Sequence, residues 1–320
     1  MVMSQIHLRP IEEADFDAVL ALRRRSQSFD QLPEIMTMEE LRVELDGAQT
    51  DLATDTRLAS IDSDVAGYVQ TFYLPSEVRL ERCYLFGQVD PEHRGKGVGR
   101  TLLRWAMERA GEQLRSSGSA LPKYLRVDQY DFVESAHRLF ARMGFAPVRY
   151  YVQLLRPLTD LPSLPHLDGI RIAPWPVDRS EEIRQVKNSA FTDHWGSTPT
   201  SPALWEQMTA AESTRLEWSF VALNYQDQIV GYALNERYVA DDELLGRQDA
   251  WIGSLGTLSD YRHRGIASGL IARSLTAFAE AGLTHASIGV DSASPTGASR
   301  LYRSLGFEPK TRTITHEIQL

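Results

Sequence analysis

The chain has 320 residues, 42% hydrophobic and 24% charged, which is more than one core usually organises and is ordinary for a globular protein in water. Lys and Arg number 34 against 43 Asp and Glu, and the net charge of −9 argues against nucleic acid or an anionic membrane as partner. A single cysteine, Cys83, excludes an internal disulfide and a thiolate metal cluster, and the eight histidines show no pair at helical ligand spacing, so no metal is expected.

The opening stretch lacks a basic segment followed by an apolar run, and no apolar run reaches membrane-spanning length; the expectation is a cytoplasmic protein. A short strand at Ile6 to Leu8 leads to an acid-capped helix, then to a helical piece, TMEELRVEL. The strands TRLAS and VAGYVQTFY follow, and CYLFGQV feeds a glycine loop that opens the helix GRTLLRWAMERA. YLRVD reads as a strand, LFARMGF as the end of a helix, and VRYYVQLL as a last strand. Three prolines in RPLTDLPSLPHLDG then mark an irregular linker.

After the linker the same order recurs. Strand Ile170 to Ile172, a helix from about Ser180 to Ala190, and the helical piece SPALWEQM precede strands WSFVAL and IVGYALNERY. AWIGSLGTL feeds a second loop, which opens the helix ASGLIARSLTAFAEA; HASIGVD, LYRSLGF and RTITHEIQL complete the copy. Pro10 and Pro174, and Gly67 and Gly231, lie 164 residues apart; Arg94 and Arg262 lie 168 apart, and Gly144 and Gly306 162. A near-constant offset of a whole domain length indicates duplication and fusion. The predicted fold class is α+β, with a mixed sheet flanked by helices in each of two domains, residues 1–157 and 169–320, joined by 158–168.

Each loop combines glycine, basic residues and a helix start. Glycines let main-chain N–H groups approach a ligand together, and the first turn of a helix adds unpaired donors and a positive dipole end. Arg94, Gly95, Lys96, Gly97, Val98, Gly99 and Arg100 form the first loop; Arg262, His263, Arg264, Gly265, Ile266, Ala267 and Ser268 form the second. That environment suits phosphate or pyrophosphate. Two other readings exist: a turn that glycine merely permits, and a dinucleotide fingerprint. The fingerprint normally opens its domain and wants an acid about 20 residues on, whereas Asp128 lies 29 past Gly99.

Arg94-x-x-Gly97-x-Gly99 and Arg262-x-x-Gly265-x-Ala267, each followed by a helix ending in Gly-Phe, resemble the signature of the GNAT acetyltransferases. Two fused copies resemble the tandem members of that family, of which mycothiol synthase is one kind, and AFTDHWG (Ala190 to Gly196) resembles a stretch found in them. The resemblance implies acetyl-CoA as donor, its pyrophosphate on the two loops. It also implies a splayed strand whose main chain at Gly87 and Val89, and at Leu255 and Thr257, pairs with the pantetheine amides. An open strand edge can read a linear chain of amides as it would another strand.

Acetyl transfer needs a base for the amine, stabilisation of a developing oxyanion, and a proton for the leaving thiolate. Tyr302 stands where the family resemblance puts the acid; the first copy has Phe140 there, which has no proton to give. The C-terminal half is therefore expected to be catalytic and the N-terminal half to bind or support. Asp249 and Glu236 are the candidate bases. Asp193, His194 and Trp195 could hold a cationic acceptor by charge and cation–π contact. The expected activity is acetyl transfer from acetyl-CoA to the primary amine of a small molecule. A non-catalytic protein that binds or senses acyl-CoA, with Tyr302 in the core, is the alternative.

Overall fold

The computed structural model describes residues 5–47, 50–293 and 297–320. The chain divides into two compact units: unit 1 holds Met1–Arg149 and Thr313–Leu320, unit 2 holds Tyr150–Arg312.

Unit 1 begins with β1 (Ile6–Arg9), α1 (Phe16–Asp30), α2 (Met38–Leu45) and the short α3 (Leu52–Asp55). α1 buries Phe16, Val19, Leu20 and Leu22, the three-to-four spacing of one helix face. α2 starts on a capping box: the Thr37 hydroxyl accepts from the Glu40 N–H at 3.1 Å, and the Glu40 carboxylate accepts from the Thr37 N–H at 2.8 Å. Then come β2 (Thr56–Ile61), β3 (Asp64–Leu74), β4 (Glu81–Val89), α4 (Val98–Ser116), β5 (Lys123–Tyr130) and α5 (Glu134–Arg142). The strand order is β1-β2-β3-β4-β5. All neighbours are antiparallel except β4 and β5. α4 lays Val98, Leu102, Leu103, Ala106, Ala110 and Leu114 against Val69, Cys83, Leu85 and Leu125 of the sheet. Each such fully buried leucine contributes about 1.5–3 kcal/mol of hydrophobic stabilisation.

The chain passes from unit 1 into unit 2 within β6 (Ala146–Pro157). Unit 2 repeats the plan with β7 (Ile170–Pro174), α6 (Ser180–Ala190), α7 (Pro202–Ala210), β8 (Phe220–Asn224) and β9 (Ile229–Glu236). It continues through the short α8 (Asp241–Leu245), β10 (Asp249–Thr257), α9 (Ile266–Glu280), β11 (His285–Asp291) and α10 (Ala298–Ser304), and β12 (Glu308–Gln319) closes the chain. β10 and β11 are the parallel pair here. α9 covers the sheet with Ile266, Leu270, Ile271, Leu275 and Phe278. Ser294 and Pro295, a helix-start signal in the sequence, lie outside the described residues; α10 begins after Gly297.

The strand that ends each repeat belongs to the other unit. Residues 151–157 of β6 pair antiparallel with β11, and Thr313 to Gln319 of β12 pair antiparallel with β5. The division therefore differs from boundaries at 157 and 169, which kept each closing strand in its own repeat. The physical reason is that β5 and β11 each need a partner for their open main-chain edge, and either duplicated strand supplies the same N–H and C=O ladder. Local sequence does not choose between them.

Candidate active site

The two loops follow one backbone path. Gly97 and Gly265 sit at the N-caps of α4 and α9 with φ of 92° and 79°, the left-handed region that a side chain disfavours. Two residues earlier, Gly95 has φ of 78° and His263 has φ of 61°, so the second copy accepts a strained non-glycine to keep the turn. Among the described residues, the main-chain N–H groups from Gly95 to Arg100 and from His263 to Ser268 have no acceptor within the chain. They form two nests of free donors at helix starts, the geometry that holds phosphate.

The loop-opening arginines are held by contacts within the chain. Arg94 makes a two-pronged ion pair with Asp30 at the end of α1, both contacts at 2.7 Å, and its Nε donates to the Val89 carbonyl at 3.3 Å. Arg262 pairs with Asp193 at 3.0 Å, donates to the Ala190 carbonyl at 2.9 Å, and its Nε reaches the Thr257 carbonyl at 3.4 Å. Each arginine thus ties its loop to the preceding strand and to the end of the unit's first helix. The acid partner was readable only as a carboxylate at the end of that helix in both repeats, with no local spacing to mark it.

Behind each loop the parallel pair comes apart. β4 and β5 pair only from Glu81–Lys123 to Tyr84–Arg126, and β10 and β11 only from Asp249–His285 to Ile252–Ile288. Gly87 and Val89, and Leu255 and Thr257, lie beyond those points, so the edge facing the gap is unpaired in the described ladders. A linear chain of amides ending in pyrophosphate, as in an acyl-CoA, fits this donor set: strand edge first, amide nest at the end. Those residues and the two loops would hold it.

At the mouth of the gap the copies differ. The β3–β4 register runs without a break, whereas the β9–β10 register shifts between Ile252 and Ser254. This bulge leaves Gly253 without a partner residue in either ladder. A Cβ at Gly253 would lie 2.4 Å from the Glu236 carboxyl carbon, so only glycine lets that carboxylate rest on the strand. Burial pushes the Glu236 carboxyl above its ordinary range, opposed by the Tyr238 hydroxyl, which donates to it at 2.8 Å. The next residue, Ser254, shares a 2.6 Å hydrogen bond with the Tyr232 hydroxyl. Tyr302, on α10, is 7% exposed and packs in a core cluster with Phe307, with Leu255 against it. Burial pushes its hydroxyl up to about 12, so it carries its proton at any working pH. Phe140 fills the corresponding place on α5.

Two sequence candidates are placed elsewhere. Asp249 lies at the paired end of β10, where it accepts from Ser287 at 2.9 Å and from Arg247 at 3.3 Å. It is a buried partner of Arg247 and Ser287, four residues along the strand from the bulge at Gly253. Asp193 already neutralises Arg262, so it offers no free charge to a cationic acceptor. His194 stacks on Phe191 with ring centroids 4.4 Å apart. Burial, then Arg262, lowers its pKa and favours the neutral ring. Trp195 is half-buried in the same turn.

A profile described as the acetyltransferase (GNAT) family matches residues 181–307, and one described as an acetyltransferase (GNAT) domain matches 55–147. The chain belongs to the GNAT acetyltransferase family. Both matches, and the repeated loop and gap, make it a tandem GNAT protein. Among curated relatives, mycothiol acetyltransferase of Mycolicibacterium vanbaalenii is 30% identical over 132 residues, 41% of this chain and 38% of the relative. That of Tsukamurella paurometabola is 29% identical over 208 residues, 64% and 60% respectively. The aligned stretch thus spans from under two fifths to three fifths of those relatives' length. The crystal structure of a GCN5-related N-acetyltransferase from Sphaerobacter thermophilus superposes with a TM-score of 0.75 at 26% identity, covering 98% of this chain and 95% of that one. A tandem GNAT protein from the clavulanic acid biosynthesis pathway gives 0.70 at 16% identity over 98% of both chains, a likeness of fold. Among the described residues no helix is long and apolar enough to cross a membrane.

Proposed function

We propose that this tandem GNAT protein transfers an acetyl group from acetyl-CoA to the primary amine of a small molecule, and that unit 2 does the chemistry. The observation that carries the reading is the Glu236 carboxylate resting on Gly253 at the bulge, where β10 leaves β11. It puts a base of raised pKa beside the gap, which unit 1 does not repeat at its own β4. The relatives named mycothiol acetyltransferases support acetyl as the group moved; mycothiol chemistry is not part of the reading.

When bound, acetyl-CoA supplies an activated thioester. The amide nest from His263 to Ser268 and the edge at Leu255 and Thr257 bind and orient it. Glu236 takes the proton that an ammonium acceptor must lose before its nitrogen can attack, directly or through one water, and Tyr238 fixes that carboxylate. The unpaired main chain at Gly253 faces charge that develops on the carbonyl oxygen. Tyr302 supplies a proton to the sulfur as the C–S bond breaks. His194 and Trp195 border the acceptor, and the location is cytoplasmic. Unit 1, with Phe140 and an unbroken β3–β4 ladder, is a binding domain.

The test is release of free CoA from acetyl-CoA across a panel of primary amines, with the acetylated product identified by mass spectrometry. Release that depends on an amine, on Glu236 and on Tyr302 supports the reading. Tight acyl-CoA binding with no amine-dependent release would put the chain among non-catalytic binders.

A further inference from the structure

Tyr232 on β9 and Tyr68 on β3 hold the same place in the two units, each one residue past a repeated glycine, Gly231 or Gly67, and both are buried. Their hydroxyls end differently. Tyr68 receives the Arg23 guanidinium at 2.8 Å. Tyr232 reaches across the sheet to Ser254 on β10, oxygen to oxygen 2.6 Å, and Ser254 is its one hydrogen-bond partner among the described residues. Burial pushes the Tyr232 hydroxyl up, so it keeps a proton that needs an acceptor.

The neighbouring strand explains the difference. Tyr232 pairs with Gly256, and a Cβ there would lie 2.7 Å from the Tyr232 ring. Glycine thus lets the ring lie across β10 toward the residue two places back, Ser254. Ser254 directly follows Gly253, which has no partner on β9. A Cβ on Gly253 would meet Glu236, and the Ser254 side chain meets Tyr232, so two successive residues face the side where Tyr232 and Leu234 pack with Ile183 and Val186 of α6. A regular strand would send them to opposite faces; the bulge brings both to one. In unit 1 the residue opposite Tyr68 is Gln88 and the one two places back is Phe86, neither a glycine nor a hydroxyl, and the β3–β4 ladder runs unbroken.

We propose that Tyr232 and Ser254 are positioning residues: their hydrogen bond clamps the β10 bulge and so keeps Glu236 and the Gly253 main chain beside the gap. This rests on the reading of unit 2 as the half that transfers acetyl, and the pair acts through its neighbours rather than on a reactant. Were β10 to slip back to a regular ladder, its side chains on one side of Gly253 would change faces, and Glu236 would lose its seat on that glycine. The slip would also leave the Tyr232 hydroxyl buried without its partner, which costs free energy and holds the bulge in place.

The experiment compares the full chain with Ser254→Ala, Tyr232→Phe, the double variant and Ser254→Thr. The readouts are amide hydrogen exchange across β10 and steady-state kinetics with acetyl-CoA and an amine from the panel. Exchange in β10 should speed by about fivefold in either single variant, the scale of one lost hydrogen bond. Turnover should lose ~10–100-fold in kcat, as for a misplaced reacting group, while KM for acetyl-CoA holds. The acid limb of the rate should move to lower pH, because water reaching Glu236 returns its carboxyl toward the ordinary value. A residue that only stabilised the fold would leave that limb in place. The double variant should be no worse than Ser254→Ala, since the two hydroxyls form one bond. Ser254→Thr, which keeps the hydroxyl, should stay near the unaltered chain and guards against a folding artefact. Unaltered kcat and acid limb in folded Ser254→Ala and Tyr232→Phe overturn the proposal, as do losses that add in the double variant. If no amine supports turnover by the unaltered chain, the reading of acetyl transfer fails and exchange decides the clamp: faster exchange supports it and unchanged exchange overturns it.

Discussion

Replacing Tyr302 by Phe separates chemistry from packing. The ring keeps its contacts with Phe307 and the surrounding cluster. Among the described residues the Tyr302 hydroxyl makes no hydrogen bond, so its removal should change stability by no more than about 1 kcal/mol. For units of this size that is a shift of ~2–4 °C in Tm. The rate should respond far more. If the hydroxyl protonates the departing thiolate, kcat should fall by roughly 10²–10⁴, or about 2.7–5.5 kcal/mol of barrier. The hydroxyl pKa of about 12 adds a second signature: the parent enzyme should show no alkaline loss of rate near pH 10, where an ordinary tyrosine titrates. The assay is kcat at saturating acetyl-CoA and amine from pH 6.5 upward, with donor affinity measured separately by calorimetry. A fall of less than about threefold, under 1 kcal/mol, would return Tyr302 to the core as a structural aromatic. A large fall accompanied by lost donor binding or a collapsed Tm would refute the acid role in the same way.

Three further outcomes are expected. Glu236→Gln should abolish most amine-dependent turnover. Because the folded carboxyl titrates above the ordinary glutamate value of about 4.3, it stabilises the parent below that pH and loses this contribution as pH rises through the folded value. The variant's Tm should therefore change less with pH than the parent's, and a steeper dependence would contradict a raised pKa. Gly265→Glu, which sets a negative side chain at a left-handed position in the nest, should end turnover, whereas Gly97→Glu should leave much of it; equal loss from two folded variants would mean the halves are reversed. Brief proteolysis should cut first within residues 158–168, yet the two pieces should still elute together in native buffer, because β6 is a strand of unit 2 and β12 a strand of unit 1. Pieces that part without denaturant would refute the exchange.

Much was legible in the residue order alone. Offsets between Pro10 and Pro174 and between Gly67 and Gly231 declared the duplication, and the glycine loops declared the nests, because a positive φ at a helix start leaves few residues to choose from. The difference between Tyr302 and Phe140 could be read without coordinates, since it is a difference of functional group. Tertiary structure decided the rest. Whether Arg94 and Arg262 bind phosphate or anchor a loop depends on acids 64 and 69 residues away, Asp30 and Asp193. Glu236 and Asp249 are both carboxylates near one sheet; only the bulge at Gly253 sets the first beside the gap, while Arg247 and Ser287 take the second. The exchange of β6 and β12 lies furthest from the sequence. Main-chain hydrogen bonds are the same for any residue, so two duplicated strands compete equally for one edge, and the choice falls to the path of the whole chain.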